Sequence, residues 1–212
     1  MVNLHDDVVR LTPPVAADVP AITAACQDPQ VSRWTTVPSP YTRDDAEWFV
    51  TEYAADGWRA WADGSDDGKA TWVVRTDDGL AGGDGAAGAW RCVGAVGLLA
   101  EPARSAAVGY WMAPAARGRG LLHRSLVLVL DWAFDAPDGP RLDRVVWHAY
   151  VGNWASWRAA WRVGFRFEGV ERLGSVQRDG RRDTWTATLL RDDPRTPVAP
   201  WPATTVEVPL PS

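Results

Sequence analysis

The stretch that most constrains the fold runs from a predicted strand, through two glycines, into a long amphipathic helix. The strand is "VGYWM", the glycines are Gly118 and Gly120, and the helix is predicted over Leu121–Phe134. One apolar stripe at helical spacing supports the helix, and its members are Leu122, Leu126, Val129 and Ala133, widened by Leu130. A chain with this stretch must place the end of a strand close to the start of a helix.

The start of that helix has the chemistry of an anion site. The first backbone N–H groups of a helix have no partner within it, and the helix dipole favours negative charge there. Gly118 and Gly120 would let backbone approach a ligand closely, and Arg117 and Arg119 add charged donors. The residue types suit a pyrophosphate, although a solvated helix entrance with exposed arginines explains the same residues.

Two other phosphate motifs are excluded at this position. A P-loop requires Lys followed by Ser or Thr after its last glycine, whereas Leu121 and Leu122 follow here. A dinucleotide-binding fingerprint requires a third glycine where His123 stands, and no suitable acidic residue closes the next strand. A nucleotide-binding enzyme of either type is therefore disfavoured.

The order of the predicted elements indicates an α/β or α+β fold with a mixed sheet. Helices are predicted over Ala17–Cys26, after a Thr42 cap and after an Asn153 cap, with a loop in "VSRWTTVPSPY". The strand-like segments are "VVRLTPP", "TWVVRT", "WRCVGAVGLL", "AAVGYWM", "RLDRVVWHAYV" and two more in "FRFEGVERLGSVQRDGRRDTWTATLLR". The segment "RVVWHAY" is apolar on both alternating faces, which is typical of a central strand.

The domain organisation is predicted from length and local composition. A chain of 212 residues is long enough for one domain of ordinary to large size. We expect that domain over residues 1–191, interrupted by a Gly/Ala/Asp-rich hairpin loop at Asp77–Ala89. Residues 192–212 are rich in proline and are predicted to form an extended tail.

Composition excludes several partners. The formal net charge of -5 argues against a broad nucleic-acid-binding face. Leu126–Leu130, the longest apolar run near the middle, is far too short to span a bilayer, and the first residues lack a secretory pattern. A cytoplasmic protein with no membrane partner is expected. Cys26 and Cys92 are isolated and give no zinc spacing, so no metal is expected.

Two further motifs, taken with "RGRG", resemble the GNAT superfamily of acyl-CoA-dependent N-acetyltransferases. They are "GNWASW" and "GFRFEG", and "VPSPYTRDDAEWFV" is similar to the branch that contains the ribosomal-protein N-terminal acetyltransferases. The resemblance covers Val8 to Leu190. It implies a mixed, mostly antiparallel sheet that opens at the central strand "VGYWM", with acyl-CoA lying in the opening.

The resemblance also implies which residues contact acetyl-CoA. The implied cofactor-binding residues are Trp111, Met112, Arg117, Gly118, Arg119, Gly120, Leu121, Leu122, Asn153 and Trp157. Ser156 matches a position that looks catalytic in this branch, as the acid that protonates the leaving thiolate. Capping of the helix start explains Asn153 and Ser156 equally well.

The expected general base is missing. Where the branch often has carboxylates, this chain has Ala107 before "GY" and Ser175 after "EG". His148 and Tyr150 lie on one face of the predicted central strand and are the remaining candidates, because histidine titrates near neutral pH. A packed, hydrogen-bonded core histidine is the alternative interpretation of His148.

The overall hypothesis is transfer of acetyl from acetyl-CoA to a primary amine, either a protein N-terminus or a small molecule. By the resemblance, Trp34 and Tyr41 lie on the acceptor side, where they could contact the amine or simply pack. Members of this branch commonly form dimers, which implies a homodimer. The absent carboxylates leave an alternative: a module that binds acyl-CoA as a sensor or scaffold without turnover.

Overall fold

The computed structural model describes residues 1–77, 90–178 and 180–200. Most of the predicted Asp77–Ala89 loop and the end of the Pro-rich tail lie outside these residues. One sheet contains eight strands in the order β1-β2-β3-β4-β5-β6-β8-β7. The strands are β1 Leu4–His5, β2 Val9–Thr12, β3 Lys69–Thr76, β4 Arg91–Glu101, β5 Ser105–Met112, β6 Arg144–Tyr150, β7 Arg166–Gln177 and β8 Gly180–Leu190.

Helices cover both faces of this sheet, which confirms the predicted α/β class. The α-helices are α1 Val19–Cys26, α2 Pro29–Trp34, α3 Arg43–Trp48, α4 Ala55–Ala62, α5 Leu121–Phe134 and α6 Trp154–Arg162. A π-helical segment, Phe49–Ala54, joins α3 to α4, and short 3-10 turns lie at Ala16–Asp18 and Pro114–Ala116. None of the helices in the described part of the chain has the length and apolar character needed to cross a membrane.

The sheet opens between its two parallel strands. The pairing of β5 with β6 is short: it begins with Ser105 opposite Arg144 and ends with Val108 opposite Trp147. Beyond that point β5 stays paired with β4 as far as Met112, and β6 stays paired with β8 as far as Tyr150. The unpaired ends of β5 and β6 therefore diverge and leave a gap in the middle of the sheet. This gap lies beside "VGYWM" in β5, the strand at which the sheet was predicted to open.

Alternation along these strands assigns side chains to opposite faces of the gap. Tyr110 and Trp147 lie on the face covered by α5 and α6, within or against the larger hydrophobic core. Trp111 packs on the other face against the smaller core formed with α1, α2 and α3. His148 follows Trp147 in the strand and so shares that second face with Trp111.

Helix α2 was not predicted. The segment from Val31 was expected to be a loop, but Pro29–Trp34 forms α2. Asp28 caps this helix, since its Oδ1 accepts hydrogen bonds from the backbone N–H groups of Gln30 and Val31 at 3.1 and 3.2 Å. Pro29 occupies the first turn, where its missing N–H costs nothing. The prediction was wrong because the helix is short and has no apolar repeat to reveal it.

A buried ion pair joins the start of α1 to the sheet. Two guanidinium nitrogens of Arg75 lie 2.7 and 2.8 Å from the two carboxylate oxygens of Asp18. Asp18 is 3% exposed, and its Oδ2 also accepts a hydrogen bond from the Val15 N–H at 2.9 Å. Such a pair is costly to break because the remaining charge stays buried.

Replacing Asp18 with asparagine is therefore expected to lower the free energy of unfolding by about 1.5–3 kcal/mol, the range for hydrogen bonds to charged groups. Chemical denaturation at neutral pH measures this change. Asp56→Asn is the matched control because it breaks a solvent-exposed ion pair with Arg59. It should cost well under 1 kcal/mol, and equal losses in the two variants would contradict the expectation.

Candidate active site

The gap between β5 and β6 opens into a cleft of about 1300 Å³. Its walls come from the diverging strands, the starts of α5 and α6, α2 with the segment after it, and the β7–β8 hairpin. Most of the residues that sequence reasoning selected meet here. The lining includes Trp34, Tyr41, Trp111, Met112, Arg117, Gly118, Gly120, Leu121, Leu122, His148, Tyr150, Asn153 and Ser156.

The start of α5 presents bare backbone to this cleft. Gly118 and Gly120 have φ of 74° and 78°, in the left-handed region that favours glycine. A Cβ built on either residue would have no atom within 4 Å, so the space above both is open. Gly120 is the N-cap and has no side chain to cap the helix, so the first-turn amides are free of a side-chain cap.

Arg117 is already engaged by the protein. Its Nη2 lies 2.6 Å from Asp28 Oδ1, and its Nε donates to the carbonyl oxygen of Met112 at 3.1 Å. The guanidinium beside Asp28 holds the pKa of that carboxyl below its ordinary value. Arg117 thus ties the glycine loop to α2 and to the end of β5. Arg119 is exposed beside the loop.

Two arginines and a histidine line the cleft near the start of α5, and the arginines carry the positive charge. Arg158 and Arg162 on α6 and His123 in the first turn of α5 all contribute to the lining. His123 Nδ1 is buried and has no hydrogen-bond partner within the described residues. Burial lowers the pKa of His123, and Arg162 and Arg124 lower it further. Bare amides, open space and an unpartnered polar atom together fit an anionic group.

Three polar groups form a closed cluster on the α6 side of the gap. Trp147 Nε1 donates to both Tyr110 Oη and Ser156 Oγ, each at 3.0 Å. The two hydroxyl oxygens are 2.9 Å apart, and Tyr110 Oη also donates to the Ser156 carbonyl oxygen at 3.1 Å. Asn153 Oδ1 accepts from the Ser156 N–H at 3.2 Å, which confirms the predicted cap of α6.

The tyrosine of this cluster is kept protonated. Burial raises the pKa of Tyr110 to about 12, against the lowering effect of its hydrogen bonds to Ser156 and Trp147. Tyr110 and Trp147 were missed by sequence reasoning, which selected Ser156 alone. Strand alternation places Tyr110 on the same face as Val108, but the pairing of Val108 with Trp147 that completes the cluster becomes visible only in the fold.

Trp157 lies behind the cleft rather than on its lining. It is 9% exposed and packs in an aromatic cluster of the core. Its ring centroid is 4.5 Å from those of Phe167 and Trp185. Its contact with the cleft is therefore indirect, through neighbours such as Trp154, whose ring stacks on it at 5.5 Å.

His148 and Tyr150 lie on the opposite side of the gap from the Trp147 cluster. His148 is exposed to the cleft, so it is not a core histidine. Its Nδ1 lies 3.2 Å from Thr186 Oγ1. Tyr150 is 6% exposed, and burial raises the pKa of its hydroxyl. Ala107 and Ser175 both line the cleft, so neither position supplies a carboxylate there.

An aromatic wall bounds the same side of the cleft. Its members are Trp34, Tyr41, Trp48, Phe49, Tyr53 and Trp111. Tyr41 is 7% exposed and belongs to the smaller core, whereas Trp48 is 50% exposed. Trp34 is partly exposed and held by a hydrogen bond from its Nε1 to Gln30 Oε1 at 3.0 Å.

The β7–β8 hairpin closes this side by docking on α2. The amide nitrogen of Gln177, which is 3% exposed, donates to the carbonyl oxygens of Arg33 and Thr35 at 2.9 Å. Arg178 adds a bond of 2.6 Å to the carbonyl oxygen of Ser32. No cluster of metal-ligating side chains occurs among the residues that the structure describes.

The diverging parallel strands and the uncapped glycine entrance define a mixed α/β fold with a cleft through the middle of its sheet. A family model for the acetyltransferase (GNAT) domain matches residues 9–166. Because this match covers well over half of the 212 residues, the chain belongs to the GNAT acetyltransferase family. No curated protein sequence matches the chain.

Solved structures share this fold. The microcin C7 self-immunity acetyltransferase MccE, in complex with acetyl-CoA and AMP, is 15% identical, with a TM-score of 0.70 over 87% of this chain and 93% of its own. RimL, the ribosomal L7/L12 α-N-protein acetyltransferase, in complex with coenzyme A, is 16% identical, with a TM-score of 0.66 over 87% and 95%. A GCN5-related N-acetyltransferase from Brucella melitensis is 24% identical, with a TM-score of 0.65 over 90% and 79%.

Proposed function

We propose that this protein transfers acetyl from acetyl-CoA to a primary amine, which attacks the thioester directly in a ternary complex. The observation that carries the proposal is the early end of the β5–β6 pairing, which leaves a passage through the sheet beside an uncapped helix start. Family membership supports the use of acetyl-CoA. We assign the activity to residues 1–191 and treat residues 192–212 as a tail.

The start of α5 and the end of β5 would hold CoA. The backbone at Gly118, Gly120 and the first turn of α5 suits the pyrophosphate, because its N–H groups have no side-chain cap. Arg158 and Arg162 supply positive charge on the same side of the cleft, and the neutral His123 ring offers a polar nitrogen there. Arg117 supports this loop by its bonds to Asp28 and to the Met112 carbonyl.

We place the group that protonates the leaving sulfur and the group that faces the acceptor amine on opposite faces of the gap. Bound acetyl-CoA would supply the thioester carbonyl that the amine attacks. The hydroxyls of Tyr110 and Ser156 lie on the α6 face, where one of them can give a proton to the departing sulfur. His148 lies on the opposite face, where the aromatic wall admits the acceptor.

The acceptor half of the cleft suits an amine with an apolar body. Trp48, which is 50% exposed, and the partly exposed Trp34 leave aromatic surface open there. Burying one apolar side chain contributes about 1.5–3 kcal/mol. A protein N-terminus with an apolar first residue, or an aromatic small amine, therefore fits this wall better than a polycationic sugar.

Release of free thiol from acetyl-CoA with a panel of amines tests this function. A phenyl-bearing primary amine is expected to have a kcat/KM about tenfold above that of a hydroxyl-bearing amine of similar basicity, since its ring can bury against the wall. A polycationic aminoglycoside as the best substrate would contradict the acceptor assignment. Tight CoA binding with no thiol release for any amine would overturn the enzyme and favour an acyl-CoA-binding module.

A further inference from the structure

A chain of three polar side chains leads from the acceptor side of the gap back into the sheet. His148 Nδ1 on β6 lies 3.2 Å from Thr186 Oγ1 on β8. Thr186 Oγ1 donates in turn to Glu171 Oε1 on β7, at 2.8 Å. The chain thus crosses three adjacent strands, with the histidine at its cleft end.

The directions of these two hydrogen bonds follow from the groups involved. A carboxylate can only accept, so the single hydroxyl proton of Thr186 is committed to Glu171. Thr186 Oγ1 can then only accept from the imidazole, which places the ring proton on Nδ1 of His148. In neutral His148 the lone pair is therefore on Nε2, the nitrogen that Thr186 does not contact.

His148 also lies on the same face of the sheet as Ala107, where the resembled branch often has a carboxylate. Ala107 is directly opposite Val146 in the parallel pair, so these two residues share a face of the sheet. His148 follows Val146 by two residues and lies on the same face, one step nearer the open end of the gap. Both Ala107 and His148 line the cleft.

We propose that Glu171 and Thr186 are positioning residues that hold His148 as the general base for the acceptor amine. This inference rests on the proposed acetyl transfer. As the C–N bond forms and the C–S bond breaks, Nε2 of His148 takes one proton from the amine nitrogen. The sulfur gains one proton from the Tyr110–Ser156 cluster across the gap. Solvent then removes the first proton and restores the second, so free thiol and amide are the net products.

The tautomer can be measured without substrate. The chain has three histidines, so ¹⁵N spectra of the ring nitrogens are simple, and a His148→Gln variant identifies the signals of His148. At a pH where the ring is neutral, we expect a proton on Nδ1 and none on Nε2. Thr186→Val should abolish this preference, whereas Thr186→Ser should keep it. A proton on Nε2 in the wild-type protein would overturn the proposal.

A second threonine–glutamate pair on the same strands provides a matched control. Thr188 Oγ1 donates to Glu168 Oε1, and Thr188 is opposite Val146 rather than a histidine. Thr186→Val is expected to lower kcat about tenfold, the cost of one hydrogen bond, with the KM for acetyl-CoA unchanged. Thr188→Val should leave kcat within about twofold of wild type, and equal losses in kcat would show a merely structural role.

The two experiments separate the two proposals. If the ¹⁵N spectra show the expected tautomer and no amine releases thiol, the proposed function fails and the positioning of His148 stands. If thiol is released and neither the tautomer nor kcat responds to Thr186→Val, the function stands and the positioning role is wrong.

Discussion

Replacing Gly120 with valine is expected to weaken CoA binding about 100-fold or more, which corresponds to about 2.7 kcal/mol. Gly120 has φ of 78°, and a β-branched residue strongly resists that conformation. The valine side chain would also stand over the first-turn amides of α5, where the pyrophosphate is proposed to lie. Isothermal titration of the protein with CoA measures the loss.

Folding should suffer much less than binding in this variant. A Cβ at Gly120 meets no atom within 4 Å, so valine causes no steric overlap and only the backbone strain remains. That strain costs about 1–2 kcal/mol for one residue. Retained cooperative unfolding, with a lowered midpoint, would show that the loss of CoA binding is local.

Gly64→Val separates strain from binding. Gly64 also has positive φ, 71°, and an added Cβ there likewise meets nothing within 4 Å. It lies in the turn after α4 and is not part of the cleft lining. This variant should lose similar stability and keep its CoA affinity. Unchanged CoA affinity in Gly120→Val would refute the assignment of the pyrophosphate to this loop.

Local sequence patterns predicted the extent of α5 and the start of α6 well. The bounds of α5, Leu121–Phe134, agree with its apolar stripe, since a long periodic pattern records which face is buried. Asn153 was recognised as the cap of α6 because a cap depends only on the next three residues. These features are local, so one segment of sequence is enough to determine them.

Features that depend on distant partners could not be predicted in the same way. Arg117 was assigned to an anion by residue type, but its Asp28 partner is far away in sequence and becomes visible only in the fold. His148 lies in a strand that is apolar on both faces, yet one face opens at the gap. Apolar residues on both faces of a strand indicate that it is covered on both sides of the sheet. They do not indicate where the neighbouring strand stops pairing with it.

The Tyr110–Ser156–Trp147 cluster is expected to control release of the thiol. Ser156→Ala together with Tyr110→Phe removes both hydroxyls, and kcat should fall about 1000-fold, within the range for general acid catalysis. Each single variant keeps one hydroxyl and should lose less, because the two oxygens are 2.9 Å apart and both accept from Trp147. Stopped-flow measurement of thiol release gives the rate.

CoA affinity distinguishes proton donation from simple binding at this cluster. The affinity of the double variant should stay within about threefold of wild type, since removing two hydroxyls leaves the glycine loop intact. Ser125→Ala is the control, because Ser125 Oγ is buried and, in the part of the chain that the structure describes, donates to the Leu121 carbonyl oxygen within its own helix. It should keep both kcat and CoA affinity. Equal losses of turnover and affinity in the double variant would mean that these hydroxyls bind CoA and that the sulfur receives its proton from another donor.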